Sequence, residues 1–113
     1  HNPDGAGSLV RFLQNNFTNQ RIIYIIGVLS DKDYDQMMRI LVPCAWRVYT
    51  VEPDNPRALP SEELAACIAK YHKDVHIRER LYSCLKEVRE QAGEDDVIVI
   101  CGTLSFQNEL KRD

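Results

Sequence analysis

The strongest indication of the fold is the run Ile22-Ile23-Tyr24-Ile25-Ile26-Gly27-Val28-Leu29, which leads into Ser30-Asp31-Lys32-Asp33. A run this short, apolar at nearly every position and rich in β-branched residues, predicts a strand buried on both faces. Ser30 and Asp33 resemble a capping box, and apolar residues then recur at helical spacing from Tyr34 to Leu41, which predicts a helix. A buried strand that passes directly into a helix is typical of a parallel α/β sheet.

The same alternation of strand and helix continues toward both ends of the chain. Further strands are predicted at 46–52, at 75–77 as a short edge strand, and at 97–101 as a buried strand. Helices are predicted from Pro3 with Asn2 as cap, from Pro60, from Leu81 until Gly93 ends it, and from Ser105. We therefore expect an α/β fold, with a Rossmann-like, mostly parallel sheet and helices on both faces.

Length and composition are those of one ordinary globular domain. The chain has 113 residues, of which 27% are charged, and its formal net charge is −3. This charge gives no reason to expect nucleic acid or an anionic membrane as a partner, and no apolar run approaches the length of a membrane span. The four cysteines form no C-x-x-C pair, so we expect buried free thiols in a reducing cytoplasm.

Ligands of open α/β sheets bind outside the carboxyl ends of the strands, so the loops after the predicted strands are the candidate site. These loops contain the residues Ser30, Asp31, Lys32, Asp33, Asp54, Asn55, Arg57, Gly102, Thr103 and Ser105. Cations, hydroxyls and helix N-termini suit a ligand that carries carboxylates or phosphates. The sequence has no G-x-x-x-x-G-K-[ST] phosphate loop, no G-x-G-x-x-G dinucleotide fingerprint and no Ser-His-Asp arrangement.

Each candidate also has a purely structural interpretation. Lys32 with Asp33 fits a solvated first helical turn, 54–57 consists of turn-forming residues, and Thr103 with Ser105 can cap the last helix. His72 and His76 lie four residues apart but straddle a loop and a short strand, which argues against a metal site. Position alone therefore leaves the roles of these residues open.

Four segments of the chain resemble motifs of the folylpolyglutamate and dihydrofolate synthases, which belong to the Mur ligase superfamily. The opening His-Asn-Pro-Asp-Gly resembles the second half of their D-G-A-H-N-P signature, and 27–34 resembles their L-G-x-x-x-D-K-D segment. Residues 55–60 match N-P-R-A-L-P, and 101–105 resembles the closing T-G-S-L. The segments occur in the family's order along almost the whole chain. The resemblance implies the fold of the Mur ligase C-terminal domain.

The resemblance also implies an activity. Enzymes of this family use ATP to phosphorylate a folate or dihydropteroate carboxylate, and the amine of glutamate then attacks the acyl phosphate. It implies that His1 and Asn2 contact the nucleotide, and that Lys32 contacts glutamate. The same role is expected for Asp31, Arg57, Thr103 and Ser105. ATP and Mg²⁺ would be bound mainly by a preceding domain, so we expect this chain alone to be inactive.

The beginning of the chain supports two further expectations and leaves two alternatives open. A helix-start signal opens the chain with nothing before it, so we expect a piece of a longer protein. The resemblance implies that this piece is a single C-terminal domain (1–113) of the enzyme and that the first strand of the domain is missing. One alternative is another amino-acid ligase of the Mur superfamily. The other is a non-catalytic receiver or flavodoxin-like module, although the visible strands do not supply all the acidic residues of a receiver.

Overall fold

The computed structural model describes residues 3–102, which form four helices and four strands. In chain order these are α1 (Pro3–Asn16), β1 (Ile22–Ile26), α2 (Tyr34–Leu41), β2 (Arg47–Thr50), α3 (Ser61–Ala69), β3 (Val75–Ile77), α4 (Leu81–Gln91) and β4 (Val97–Cys101). A short 3₁₀ turn, Val42–Cys44, follows α2 and contains Pro43. Strand and helix alternate as the sequence predicts.

The described strands form one parallel sheet in the order β3-β2-β1-β4. The strand β1 therefore lies between two partners, and all five of its residues are buried. Ile26 at its end is in register with Thr50 of β2 and with Cys101 of β4. Because all the strands are parallel, their carboxyl ends lie at one edge of the sheet and carry the loops that follow them.

Helices cover both faces of the sheet, as expected. Alternate side chains of β1 point to opposite faces, so Tyr24 packs with α1, α2 and α3, while Ile23 and Ile25 pack with α4. Met37 and Met38 are both buried in the first of these cores. Burial on two faces explains why β1 is apolar at every position.

Four details of the sequence prediction are wrong. The first strand ends at Ile26, because the chain then leaves the sheet and Leu29 forms an isolated antiparallel bridge with Ala58. Likewise, β2 ends at Thr50. Asp33 is the N-cap of α2 and makes no side-chain capping hydrogen bond, so the expected capping box is absent. In β4 all five residues are only half-buried, since β4 has one hydrogen-bonded neighbour among the described strands.

The end of α4 also differs from the prediction, and two predicted features fall outside the described residues. The helix ends at Gln91, and Ala92 already has extended backbone, so Gly93 does not end it through a left-handed conformation. The Asn2 cap and the helix expected from Ser105 lie outside residues 3–102. The four cysteines are free, as predicted, but only Cys67 and Cys84 are buried.

Candidate functional site

The loops that follow β1 and β2 are joined by backbone hydrogen bonds at the carboxyl edge of the sheet. Ser30 N donates to the carbonyl oxygen of Arg57 over 2.8 Å, and Leu59 N donates to that of Val28 over 2.9 Å. These two bonds flank the bridge between Leu29 and Ala58. The two loops therefore form one unit, although Asp31 and Arg57 lie 26 positions apart in the sequence.

An ion pair links the side chains of the same two loops. The Arg57 guanidinium donates to the Asp31 carboxylate, with 2.6 Å between Nη1 and Oδ2. Asn55 shapes the backbone before Arg57, because its Oδ1 accepts a hydrogen bond from Arg57 N at 2.8 Å. This is the Asx-type turn that makes asparagine common in loops. Two of the predicted glutamate-binding residues thus lie side by side.

The end of β4 approaches the end of β1 so closely that only glycine fits there. Gly102 has a φ of +123°, and a Cβ added to it would lie 1.9 Å from the carbonyl oxygen of Gly27. Gly27 N also donates to the carbonyl oxygen of Cys101. In the order β3-β2-β1-β4, the chain passes from β1 to β2 and β3 on one side and then crosses to β4 on the other side of β1. The contact between Gly27 and Gly102 therefore lies at the topological switch point, where open α/β sheets bind ligands.

Lys32 lies in a separate groove of about 280 Å³ beside α2 and α3. The groove is lined by Lys32, Asp33, Tyr34, Asp35, Glu63, Cys67 and Lys70. The Lys32 side chain makes no hydrogen bond or ion pair with the other described residues, which distinguishes it from Lys70. A cation without a partner within residues 3–102 is available to a carboxylate ligand.

Asp35 connects the two helices that border the Lys32 groove. Its Oδ1 accepts hydrogen bonds from the Lys70 ammonium, from the Cys67 thiol at 3.3 Å and from the Tyr71 hydroxyl at 3.0 Å. The bond from Lys70, followed by those from Cys67 and Tyr71, holds the pKa of Asp35 below its usual value. Lys70 is thereby neutralised, which leaves Lys32 as the cation of this groove without such a partner.

A cleft of about 440 Å³ opens between the loops after β2 and β3. It is lined by Glu52, Pro53, Asp54, Asn55, Pro56, Ala58, Glu79 and Arg80. Glu52 is held in place because its Oε2 accepts a hydrogen bond from Ser61 N at 3.1 Å, at the start of α3. Arg80 is exposed, and its side chain makes no hydrogen bond or ion pair with another described residue.

Arg80 was not among the site residues predicted from the sequence. The strand before it has only three residues, and the loop 78–80 carries no motif. The signal that could have found it is the rule already applied to the other strands, since the loop after an edge strand of a parallel sheet lies at the same edge.

The predicted site residues are only partly brought together. Asp31 and Arg57 are paired, and Lys32 follows Asp31 at the same edge but lines a groove that Arg57 does not line. His1, Asn2, Thr103 and Ser105 lie outside the described residues, so their roles stay predictions. The expectation that Lys32, Arg57 and Ser105 contact the same glutamate also stays a prediction.

The two histidines have structural partners. His72 Nε2 lies 2.8 Å from the carbonyl oxygen of Ala45, and its Nδ1 accepts a hydrogen bond from Asp74 N at 3.0 Å. His76 Nε2 contacts the Asp74 carboxylate at 2.5 Å. No group of three or more His, Cys, Asp or Glu within residues 3–102 could hold a metal ion. Across the same residues, every helix is too short or too polar to cross a bilayer.

Comparison with known proteins identifies the family. Residues 1–104 match the family model described as Mur ligase, glutamate ligase domain. The chain belongs to this family. Its parallel sheet with helices on both faces is the fold of the matching solved structures, among them a folylpolyglutamate synthase from Mycobacterium tuberculosis complexed with ADP and AMPPCP. That structure is 27% identical in sequence with a TM-score of 0.80, and the match covers all of this chain and 28% of the other.

The curated relatives of the chain carry two kinds of name. A folylpolyglutamate synthase from Lacticaseibacillus casei is 36% identical over 113 residues, which cover 99% of this chain and 25% of the relative. A UDP-N-acetylmuramyl-tripeptide synthetase from Lactobacillus acidophilus is 29% identical over 109 residues, which cover 90% of this chain and 21% of the relative. The chain thus spans about a quarter of the length of these curated relatives.

Proposed function

We propose that this chain is the C-terminal, acceptor-binding domain of an ATP-dependent ligase that joins glutamate to folate or dihydropteroate through an acyl phosphate. The observation that carries the proposal is the contact between two family motifs. The D-K-D segment and the N-P-R-A-L-P loop, which are far apart in sequence, are joined by the bridge of Leu29 with Ala58 and by the pair of Asp31 with Arg57. The match to folylpolyglutamate synthases along the whole chain supports the same branch.

In the proposed reaction, this domain supplies binding and orientation. The neutral amine of glutamate attacks the acyl carbon and a C–N bond forms. The bond from the acyl carbon to the phosphate oxygen breaks, and phosphate leaves and takes the proton that the nitrogen loses. Lys32 and Arg57 bind glutamate carboxylates, and Asp31, Thr103 and Ser105 are proposed as further contacts of the glutamate. Holding the amine beside the acyl carbon raises its effective concentration, and closure of the domain excludes water that would hydrolyse the acyl phosphate.

ATP and Mg²⁺ belong mainly to the preceding domain in this proposal. The sequence has no phosphate loop, and residues 3–102 contain no cluster suited to a metal ion, so we assign no step of the reaction to metal-binding residues of this chain. His1 and Asn2 are proposed to contact the nucleotide from this side. The four free thiols support a reducing cytoplasm as the compartment.

The experiment compares this chain with the full-length enzyme that carries it. The full-length enzyme should form ADP only when both glutamate and a folate or dihydropteroate are present. The 113-residue chain, given the same mixture, should release no phosphate above background. Robust ADP formation by the chain alone would contradict the assignment of ATP binding to the preceding domain. ADP formation by the full-length enzyme that does not depend on a folate or dihydropteroate would contradict the assignment to the folate-using ligases.

A second candidate is another amino-acid ligase of the Mur superfamily. The similarity to a UDP-N-acetylmuramyl-tripeptide synthetase, at 29% identity, is the observation that favours it. Offering UDP-N-acetylmuramyl peptides in place of folates in the same assay separates the two candidates. A receiver or flavodoxin-like module is set aside, because the chain belongs to the glutamate ligase domain family.

A further inference from the structure

The cleft between the loops after β2 and β3 contains an arginine that no motif points to. Arg80 lines this cleft of about 440 Å³ together with Asn55 and Ala58, which belong to the same loop as Arg57. Arg57 itself does not line the cleft, and its guanidinium is paired with Asp31 at 2.6 Å. The cation of the cleft is therefore Arg80 and not the arginine of the family motif.

The charges of the cleft indicate the kind of ligand that it would accept. Three carboxylates line it, from Glu52, Asp54 and Glu79, beside the single guanidinium of Arg80. A phosphate chain carries only negative charge and would be repelled by these carboxylates. A free amino acid binds with its amine still protonated, so its ammonium can pair with the carboxylates of the cleft while one of its own carboxylates meets Arg80, and the ammonium loses a proton before the amine attacks.

The position of Arg80 supports a role in binding. The hydrogen bond from Glu52 N to the carbonyl oxygen of Glu79, at 3.0 Å, holds the loop after β3 against the end of β2. The carbonyl oxygen of Arg80 accepts the hydrogen bond of Cys84 N at 3.1 Å, so the backbone that carries the side chain is anchored to the first turn of α4. The guanidinium is exposed and free of ion pairs with described residues, so binding a ligand breaks no existing contact of the described part of the chain.

We propose that Arg80 is a specificity-determining residue that binds a carboxylate of the incoming amino acid in this cleft. The inference rests on the proposed function, because it takes the ligand to be the acceptor of the ligase reaction. A guanidinium presents two parallel N–H donors to a carboxylate, whereas a lysine ammonium acts as a point charge. Arg80→Lys should therefore retain only part of the affinity.

The test measures ADP formation by the full-length enzyme as glutamate and ATP are varied separately. Arg80→Ala should raise the KM for glutamate about tenfold, which corresponds to about 1.4 kcal/mol, and should leave the KM for ATP within about twofold. Arg80→Lys should give an intermediate KM. The matched control is Arg89→Ala, because Arg89 is exposed in the last turn of α4 and does not line the cleft, and the KM values of this variant should equal those of the parent. Equal melting temperatures for all variants exclude misfolding.

The outcomes separate this inference from the proposed function. If the parent enzyme uses glutamate and Arg80→Ala keeps its KM within about twofold, the inference is overturned and the proposed function stands. If the parent enzyme uses a different amino acid, the proposed function is overturned, and a tenfold rise in the KM for that amino acid still supports Arg80. If no amino acid promotes ADP formation, both are overturned.

Discussion

The guanidinium of Arg57 and the carboxylate of Asp31 form an ion pair of 2.6 Å that joins two loops at the carboxyl edge of the sheet. The side chains are 62% and 49% exposed, so solvent screens the interaction. The backbone bonds between Ser30 and Arg57 and between Leu59 and Val28 join the same loops without it. The pair thus contributes little to folding and leaves Arg57 able to exchange Asp31 for a ligand carboxylate.

We expect Asp31→Asn to lower the free energy of unfolding by less than about 1 kcal/mol, since exposed ion pairs seldom contribute more. Urea denaturation of the chain measures this value. Glu87→Gln is a useful comparison, because Glu87 makes two bonds of 2.8 Å to Arg78 and both side chains are about one third exposed. A loss above about 2 kcal/mol for Asp31→Asn would show that the pair is a structural clamp.

Lys32→Ala in the full-length enzyme should raise the KM for glutamate by roughly ten- to a hundredfold. A charge-assisted hydrogen bond contributes about 1.5–3 kcal/mol, and each 1.4 kcal/mol is a factor of ten. The KM for ATP should change less, because most phosphate contacts are assigned to the preceding domain. Lys86→Ala, at an exposed position of α4, serves as the control. An unchanged KM for glutamate with weakened ATP binding would contradict the role given to Lys32.

Gly102→Ala should destabilise the fold by at least about 2 kcal/mol, because it adds a backbone clash to a strained conformation. The added Cβ would lie 1.9 Å from Gly27 O, and the φ of +123° is unfavourable for alanine. Gly93→Ala is the matched control, since its Cβ meets only the Asp96 side chain at 3.6 Å. Thermal unfolding of both variants should show a large shift for Gly102 alone. Equal shifts would contradict the close approach of β4 to β1.

The buried thiols Cys67 and Cys84 should react slowly in the folded chain. Burial, helped at Cys67 by the hydrogen bond to Asp35, raises the pKa of Cys67 from 9.0 to about 11, and burial raises that of Cys84 from 9.0 to about 12. At pH 8 the thiolate fraction in the folded chain is therefore about a hundredfold lower at Cys67, and about a thousandfold lower at Cys84, than that of a thiol with a pKa of 9.0. Alkylation followed by peptide mass mapping, with and without denaturant, measures this. Equal labelling rates of Cys84 in folded and unfolded chain would contradict it.

The same two pKa values predict how stability depends on alkaline pH. The unfolded chain loses the thiol protons at lower pH than the folded chain, so it binds fewer protons once the pH exceeds about 9. The stability that these neutral thiols contribute is complete below the unfolded pKa and declines as the pH rises toward the folded values of about 11 and 12. Between pH 9 and about 11, the urea midpoint of Cys84→Ala should fall less steeply with rising pH than that of the parent.

Local patterns in the sequence were sufficient for the order of strands and helices along the chain. Burial on two faces requires an apolar residue at every position of β1, and α2 must present Met37, Met38 and Leu41 to one core. The edge position of Val75–Ile77 follows equally from its shortness and its mixed polarity. The rule that ligands bind after parallel strands made Asp31, Lys32 and Arg57 candidates, and the family motifs, which are local strings of residues, gave them a role in binding glutamate.

Contacts between loops far apart in sequence could not be read from such strings. The bridge of Leu29 with Ala58 ends β1 three residues early, and the ion pair of Asp31 with Arg57 brings two candidates together. Arg80 lies beside Asn55 in one cleft only because β3 pairs with β2. Periodicity reports which face of an element is apolar, since that is set residue by residue. Which loops meet at the edge of the sheet depends on strand order and twist, which arise when the whole core packs together.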